Sequence, residues 1–475
     1  MQENNVSTDV VYNPATMNIT KLEIFGHEAS NLSYEDAKRD GFIYNILPIT
    51  SSLKIISTLY KPFLELEIGL KDNVSLMENM PLIGQELIRV SANKKPIDKE
   101  EPEEFTFDFV VTDYPAYGKP TQNINESVYF IKAISDFAYV AAFRSTSRKY
   151  TGSLSLEIEK IFRNLGFDVD LRFFIFGQDK KTSKGVLNDN LSTMESIEFL
   201  RRNLSDENDF PFYLYQLLSN NPGDVHLSSL SYLLDKEFNK PLYDGKPYVF
   251  IQSDVSSHPE GKNAYDIKRR RILELESSLG MSKIKQGIAG AFSSENKYLD
   301  WSDKTYITKY YDYEKEIRLD PKQDKEIEDL ESIQTPTLGG KSVLSKEFNI
   351  SGLTLNELPI AKTRYLSVNQ NSFSGAVNYG SQLSTHLPKS SAMNVLLQTQ
   401  THDIKLAGDV NLNPGNLINI EIPKSKAPDN NTEVKDEFIS GTYLITSVTH
   451  RVDDDGYYCF LKIKRDSFSK SVVTT

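Results

Sequence analysis

Gly441-Thr442-Tyr443-Leu444-Ile445-Thr446-Ser447-Val448-Thr449-His450-Arg451-Val452-Asp453-Asp454-Asp455-Gly456-Tyr457-Tyr458-Cys459-Phe460-Leu461-Lys462-Ile463-Lys464-Arg465 is the stretch on which the fold turns. Thr442–His450 and Tyr457–Arg465 are β-branched and aromatic runs, and Asp453-Asp454-Asp455-Gly456 between them has turn chemistry, so the segment reads as a β-hairpin. In the second run Cys459, Leu461 and Ile463 share one face while Lys462 and Lys464 point away, the period of a half-buried strand. Cys459 is then a small buried hydrophobe. A helix-loop-helix calcium site alternates its oxygen ligands with spacers and closes on a later Glu; three consecutive acids between strands form a turn instead.

Outward from this hairpin, β-rich sequence is expected from Met393 to Phe468, and again near the N-terminus. Phe105-Thr106-Phe107-Asp108-Phe109 places three Phe on one strand face. Val128–Ile134 and Phe137–Phe143 follow as two strands, with Ser135-Asp136 as a tight connection and Asn93–Glu104 as a loop upstream. After Tyr150 the periodicity becomes helical: Leu154, Ile158, Ile161, Phe162 and Leu165 form one stripe, with Ser153 as its cap and Gly166 as its end. Ser192 and Glu195 stand in capping-box relation before Met194, Ile197, Leu200 and Leu204. Phe210–Leu218 and Val225–Leu230 flank Asn220-Asn221-Pro222-Gly223-Asp224 as a hairpin. Asp266–Leu279 is expected to be a basic helix, whose Lys268-Arg269-Arg270-Arg271 run reads as a solvated or subunit-contacting face. Tyr306–Tyr313 reads as a strand, and the charged, Pro- and Gly-containing Leu319–Lys341 as a linker.

The two β-rich regions echo each other. Gly84-Gln85-Glu86-Leu87-Ile88-Arg89-Val90 matches Gly415-Asn416-Leu417-Ile418-Asn419-Ile420, each a turn glycine feeding a strand. Phe107–Asp113 aligns with Tyr443–Thr449, and Val128–Ser135 with Tyr457–Lys464, in the same order.

The 475 residues carry 54 Lys and Arg against 66 Asp and Glu, a net charge of -12 that argues against broad gripping of nucleic acid. Hydrophobic residues make up 39%, with 25 Tyr and 25 Phe, enough to fill more than one core and to exclude global disorder. With one cysteine no intrachain disulfide forms, which fits a reducing compartment, and the polar Met1–Asn18 lacks a secretory signal's features. No apolar run approaches the length of a membrane span. Phosphate loop, dinucleotide turn, zinc-protease helix and nucleophile elbow are all missing from the sequence, so no catalytic residue, metal ligand or cofactor is assigned. His402-Asp403 would point to opposite strand faces and cannot form a base with its orienter, and His450 reads as a hydrogen-bonded strand histidine.

Leu412-Asn413-Pro414-Gly415 leads into Leu417–Ile422, and Ile439–Ile445 continues to Val448-Thr449-His450 in a G-x-Y-x-I-x-x-V-x-H pattern. Together with Phe210-Pro211-Phe212-Tyr213-Leu214 behind a helix in Ser192–Leu230, this resembles the baseplate central hub proteins of contractile-tailed phages. It also resembles the related hub part of type VI secretion spikes. The resemblance implies an α+β, mainly β fold with two tube-like antiparallel β-barrel domains and inserted α+β domains. It marks Gly84, Pro414, Gly415, Ile418, Gly441, Tyr443, Val448 and His450 as structural motif positions. The expected division is 1–18 as a polar arm, 19–150 as the first barrel, 151–247 as an inserted α+β domain, 248–318 as a second insert or barrel-completing segment, 319–360 as a linker and 361–475 as the second barrel.

Function follows from the resemblance in the same way. A homotrimer would present six barrels in a ring, joining a three-fold central spike protein to a six-fold tail tube protein, with tape-measure protein and baseplate wedge proteins as further partners. DNA would pass through transiently, past a lumen expected to be acidic. The chain would be a non-enzymatic component of the virion tail baseplate, assembled in the host cytoplasm. Two alternatives stand: a tail-tip adhesin or carbohydrate-binding protein using exposed aromatics, and a tail-associated cell-wall hydrolase using a carboxylate pair.

Overall fold

The computed structural model describes residues 17–26, 34–73, 75–80, 82–94, 103–113, 116–118, 127–145, 147–165, 172–179, 182–187, 191–218, 224–250, 270–276, 282–300, 304–312, 337–338, 341–342, 363–368, 379–424, 435–436 and 439–466. Most of the expected N-terminal arm, most of the Asn93–Glu104 loop, Gly166, the turn before Asp224 and nearly all of the linker lie outside them, while Met17 and Asn18, expected in the arm, belong to a strand.

The first half contributes β1 (Met17–Phe25), β2 (Ile43–Asn45), β3 (Thr50–Thr58), β4 (Glu65–Asp72), β5 (Leu87–Lys94), β6 (Glu103–Val111), β7 (Ala116–Gly118) and β8 (Ser127–Ser135). They pair in the order β2-β1-β5-β6-β8-β4-β3, with β7 beside β8. Phe105, Phe107 and Phe109 all face inward from β6 and are buried. Each such side chain contributes about 1.5–3 kcal/mol by leaving water.

An inserted region follows. Its helices are α1 (Asp136–Phe143), α2 (Leu154–Arg163), α3 (Thr193–Arg202) and α4 (Leu230–Leu234), and its strands are β9 (Arg148–Ser153), β10 (Arg172–Phe176), β11 (Thr182–Leu187), β12 (Phe212–Gln216) and β13 (Asp224–Ser229). Ser153 caps α2 by accepting from the Leu156 N–H, and Ser192 and Glu195 close a reciprocal capping box on α3. β12 and β13 form the hairpin, and β10 lies parallel to β13 on its far edge.

The second half supplies β14 (Tyr248–Phe250), β15 (Arg271–Glu276), then β16 (Ser293–Asp300), β17 (Thr305–Asp312), the short β18 (Thr337–Leu338) and β19 (Lys341–Ser342), and β20 (Thr363–Val368). After α5 (Tyr379–Leu396) come β21 (Gln400–Ala407), β22 (Leu417–Glu421), β23 (Gly441–Asp453) and β24 (Gly456–Arg465). Six of these close a barrel in the order β14-β22-β23-β24-β21-β15, with β15 returning to β14. The fold is therefore mainly β and α+β. Both ladders of β14 are parallel and the others antiparallel.

The two halves share one connectivity. Taking six strands of each in chain order, β1, β3, β4, β5, β6, β8 correspond to β14, β15, β21, β22, β23, β24, and the lateral order is first-fourth-fifth-sixth-third-second in both. The lead-ins match in detail. Gln85 N–H bonds to Val111 O and Val111 N–H to Glu86 O; Gly415 N–H bonds to Ile445 O and Ile445 N–H to Asn416 O. By these bonds Gln85, with φ of 102°, takes the place of Gly415, with φ of 89°, so the two turn glycines of the sequence alignment stand one residue out of step. The sequence alignment of β6 with β23 was two residues off, since Val111 rather than Phe109 occupies the place of Ile445.

The halves differ at closure. In the first half β3 keeps β4 on one edge, but its other edge pairs with β23, from Ser447↔Thr58 to Asp453↔Ser52, rather than with β1 as β15 pairs with β14. A register shift between Ile445 and Ser447 lets the 13-residue β23 serve β22 with its first part and β3 with its second.

Three sequence expectations are corrected. Phe137–Phe143 is helix α1, not a strand: Ala138, Ala141 and Ala142 favour helix, Asp136 accepts the Phe137 N–H at 2.7 Å, and Phe137 packs on Phe162 of α2 with ring centroids 5.9 Å apart. Arg271–Glu276 is strand β15 rather than part of a basic helix, because the barrel needs a strand between β14 and β21 to pair both edges. The β-rich C-terminal region starts at Gln400, since Met393–Leu396 completes α5.

Candidate functional site

The closed barrel holds most of the motif positions, and its interior is polar at two places. Ile418 and Tyr443 are register partners in the core. The Tyr443 hydroxyl donates to the Ile439 carbonyl at 2.6 Å and lies within 3.0 Å of Gln400 Oε1 and 3.2 Å of His402 Nε2. Arg465 stands with its guanidinium 4.6 Å from the Tyr443 ring centroid and donates to Gln400 Oε1 and to the Ser440 carbonyl at 3.2 Å. Burial and the Arg465 charge push the His402 imidazole down to about 4. Asp403, next in sequence, points outward to Lys462. Replacing Arg465 by Met leaves these acceptors inside the barrel without their cationic donor. The expected loss is about 3 kcal/mol, read as a lower urea midpoint at unchanged slope.

The second polar place lies around Val448 and His450, both fully buried. The Tyr457 hydroxyl is 2.7 Å from His450 Nδ1, Cys459 Sγ is 3.3 Å from the same nitrogen, and the Asp409 N–H donates to Sγ at 3.2 Å. Asp409 also accepts from the Tyr243 hydroxyl. Cysteine beside histidine is the pairing of a thiol nucleophile, but burial raises the thiol to about 12 and lowers the imidazole to about 3. At pH 7 roughly one molecule in a hundred thousand would hold a thiolate, so the cluster packs rather than reacts. Native protein is expected to resist a thiol reagent at pH 8 and to release one equivalent of thiol in guanidinium; fast native labelling would show the barrel open.

Pro414 and Gly415 form the turn where the insert meets the barrel. A Cβ on Gly415 would come 2.5 Å from the Tyr215 hydroxyl, and Asn239 Nδ2 donates to the Gly415 carbonyl at 2.7 Å. Asn413 accepts the Leu218 N–H at 2.9 Å. Gly441 begins β23 opposite Ile420 with φ of 144°. Gly84 lies in the other half, in the equivalent lead-in, and does not join these residues. Gln400, Arg465, Asp409 and Tyr457 were missed in the sequence. Tyr457 and Arg465 share the parity of Cys459, Leu461 and Ile463, a signal that extending the alternation by one step at each end would have read.

Asp453-Asp454-Asp455-Gly456 is a hairpin turn, with Asp453 paired to Gly456 across it. Among the described residues no group of His, Cys, Asp and Glu is arranged to hold a metal ion. Arg270, the third residue of the basic run, donates to the Pro247 carbonyl at 2.7 Å. No described helix is long and apolar enough to cross a membrane.

No family model and no curated protein matches the sequence. Solved structures similar to the chain are phage tail proteins and type VI secretion spike components. A tail protein from Neisseria meningitidis MC58 aligns over 94% of this chain and 96% of its own at 9% identity and a TM-score of 0.49. The 43 kDa tail protein of prophage MuSo2 from Shewanella oneidensis aligns over 90% and 96% at 10% identity and a TM-score of 0.45. A type VI secretion component of E. coli, described as structurally similar to T4 tail proteins gp27 and gp5, aligns over 89% and 75% at 9% identity and a TM-score of 0.38.

Proposed function

We propose that the chain is a structural, non-enzymatic hub subunit of a contractile phage tail baseplate. Three copies form a ring of six similar β units that joins a three-fold central spike to a six-fold tail tube and encloses the DNA path. The observation that supports this reading is the repeated six-strand connectivity, because one chain with two equivalent units converts three-fold into near six-fold symmetry. Spike and tube proteins would meet opposite ends of the ring, with tape-measure and wedge proteins as further contacts in the virion. Light scattering with negative-stain imaging tests it: three chains per particle and a six-lobed annulus are expected, and a stable monomer that forms no ring overturns it.

A carbohydrate-binding role is favoured by one observation. Phe174 and Phe176 of β10, Tyr232 of α4 and Phe238 in the turn after it form a row with successive ring planes 17°, 24° and 23° apart, and Phe238 is 68% exposed. Such rings offer faces to sugars. A glycan array without binding removes this reading.

A further inference from the structure

The junction of β3 with β23 has a counterpart elsewhere in the repeat that one chain leaves unpaired. Val111 and Ile445 face Ala133 and Ile463 of the last strands, and two residues earlier on those strands Ile131 and Leu461 face Ile68 and Ile404. β4 and β21 are thereby aligned. Against β4, Ser52 faces Gly69, Leu53 faces Ile68 and Lys54 faces Glu67, after a register shift between Thr50 and Ser52. Against β21, Glu274 faces Lys405, Leu275 faces Ile404 and Glu276 faces Asp403, after the same shift between Ile272 and Glu274. Lys405 donates to Glu274 at 2.8 Å across this ladder. Glu276 therefore stands in the second half where Lys54 stands in the first.

The second part of β23 corresponds to β7, which follows β6 along β8. Thr449, His450 and Arg451 face Phe460, Cys459 and Tyr458, and Ala116, Tyr117 and Gly118 face Phe130, Tyr129 and Val128, so Gly118 stands for Arg451. Within the chain Arg451 is paired with Lys54 across the junction. The counterparts Gly118 and Glu276 have no such pairing: among the described residues β7 has a ladder with β8 alone, and β15 meets β14 only at Arg271 and Ile272. Burial follows the difference. Leu53, beside β23, is 2% exposed and its counterpart Leu275 is half-buried; Phe460 is half-buried and its counterpart Phe130 is 57% exposed. A strand edge left in this state offers its N–H and C=O groups to another chain.

We propose that the β15 edge of one copy pairs antiparallel with the β7 edge of the next copy, Glu276 opposite Gly118, repeating between subunits the β3–β23 junction inside each chain. The chain itself supplies the template for the occupant. The step that carries the first half onto the second carries β3 onto β15, and carries β23 onto the β6–β7 run of a following copy. Such a head-to-tail contact closes into a ring when its rotation allows. The proposal rests on the hub reading only for closure after three chains.

Cysteine cross-linking reads this register. Opposed residues of an antiparallel pair have Cα atoms about 4.5–5.5 Å apart, within the span of a disulfide. A Cβ on Gly118 meets nothing within 4 Å and Glu276 is exposed, so a Gly118→Cys, Glu276→Cys double variant should fold and match the wild-type particle mass when reduced. Oxidation should convert it to a covalent trimer on a non-reducing gel, and should leave each single variant unlinked. Lys54→Cys with Arg451→Cys, the same register inside the chain, should link with no change of mass. Amide exchange on the wild-type particle gives a second reading that needs no variant. The amides of Glu274–Glu276 and Ala116–Gly118 that point away from β21 and β8 should exchange at least about a hundredfold more slowly than in an unfolded chain. A three-chain particle by light scattering whose double variant stays unlinked, or whose edge amides exchange unslowed, overturns the pairing and leaves the hub reading standing. Linking of the single variants to the same extent also overturns it. A covalent ladder beyond three chains supports the pairing and removes the three-chain ring; a chain that stays monomeric removes both.

Discussion

Lowering the pH from 7.5 to 5 is expected to remove about 4–5 kcal/mol of stability from the isolated protein, enough to bring a domain of ordinary stability close to its unfolding midpoint. His226, His402 and His450 are held neutral mainly by burial, with imidazoles lowered to about 4, about 4 and about 3. An unfolded histidine takes its proton near ~6.5. The sign follows from that difference. Above ~6.5 both states are unprotonated and the full stability is present; below it the unfolded chain gains protons that the native barrel and insert refuse. Each histidine then costs about 2 kcal/mol by pH 5, roughly 6 together. Asp136 works in the opposite direction, because burial raises its carboxyl to about 6 and its neutral form is favoured in the fold. It returns roughly 1 kcal/mol over the same interval. Urea unfolding at half-unit pH steps reads the slope, and a stability independent of pH across this window would mean that the three imidazoles are hydrated.

Gly408→Ala should be the most damaging single methyl addition in the barrel. A Cβ at this position would stand 2.2, 2.3 and 2.5 Å from three atoms of the Tyr457 ring, inside any permitted contact. The ring cannot swing aside cheaply, since Tyr457 is held by its hydroxyl at His450 and lies beside Cys459, while its carbonyl accepts the Gly408 N–H at 3.0 Å. Overpacking of this kind costs about 3 kcal/mol or more when neither side can relax. The loss should appear as a lower thermal midpoint and faster native labelling of Cys459. Pairing the change with Tyr457→Leu removes the opposing ring, so the double variant should be more stable than the sum of the two single effects predicts. Strict additivity would show that Gly408 and Tyr457 do not compete for the same space.

The elements that were legible in the sequence are those whose signal is local. The β23–β24 hairpin announces itself through alternation on both sides of a turn. The caps at Ser153 and Ser192 need only three or four residues to be recognised, and the Phe triplet of β6 shows its buried face directly. Half of the duplication was also legible, because Gly84 and Gly415 each precede a β-branched run. The same stepwise reading failed at Phe137–Phe143, where a short apolar run fits strand or helix equally until the neighbouring layer of α2 and α3 is known. It failed again at Arg271–Glu276, whose mixed charges look helical in isolation.

What the sequence by itself determined is a mainly β chain with an α+β insert, a buried lone cysteine and two related strand-rich halves. The tertiary structure alone decided that β15 closes a six-stranded barrel and that β3, paired with β4 on one edge, joins β23 with the other. It also decided that Gln400, Tyr443 and Arg465 meet inside the barrel and that Lys405 finds Glu274. Tyr443 and Gln400 are 43 residues apart, and Thr58 and Thr446, joined by a hydrogen bond at the junction, are 388 apart. The physical reason is range: alternation and capping are properties of a few consecutive residues, whereas closure, register and charge pairing depend on which distant strand satisfies an open edge.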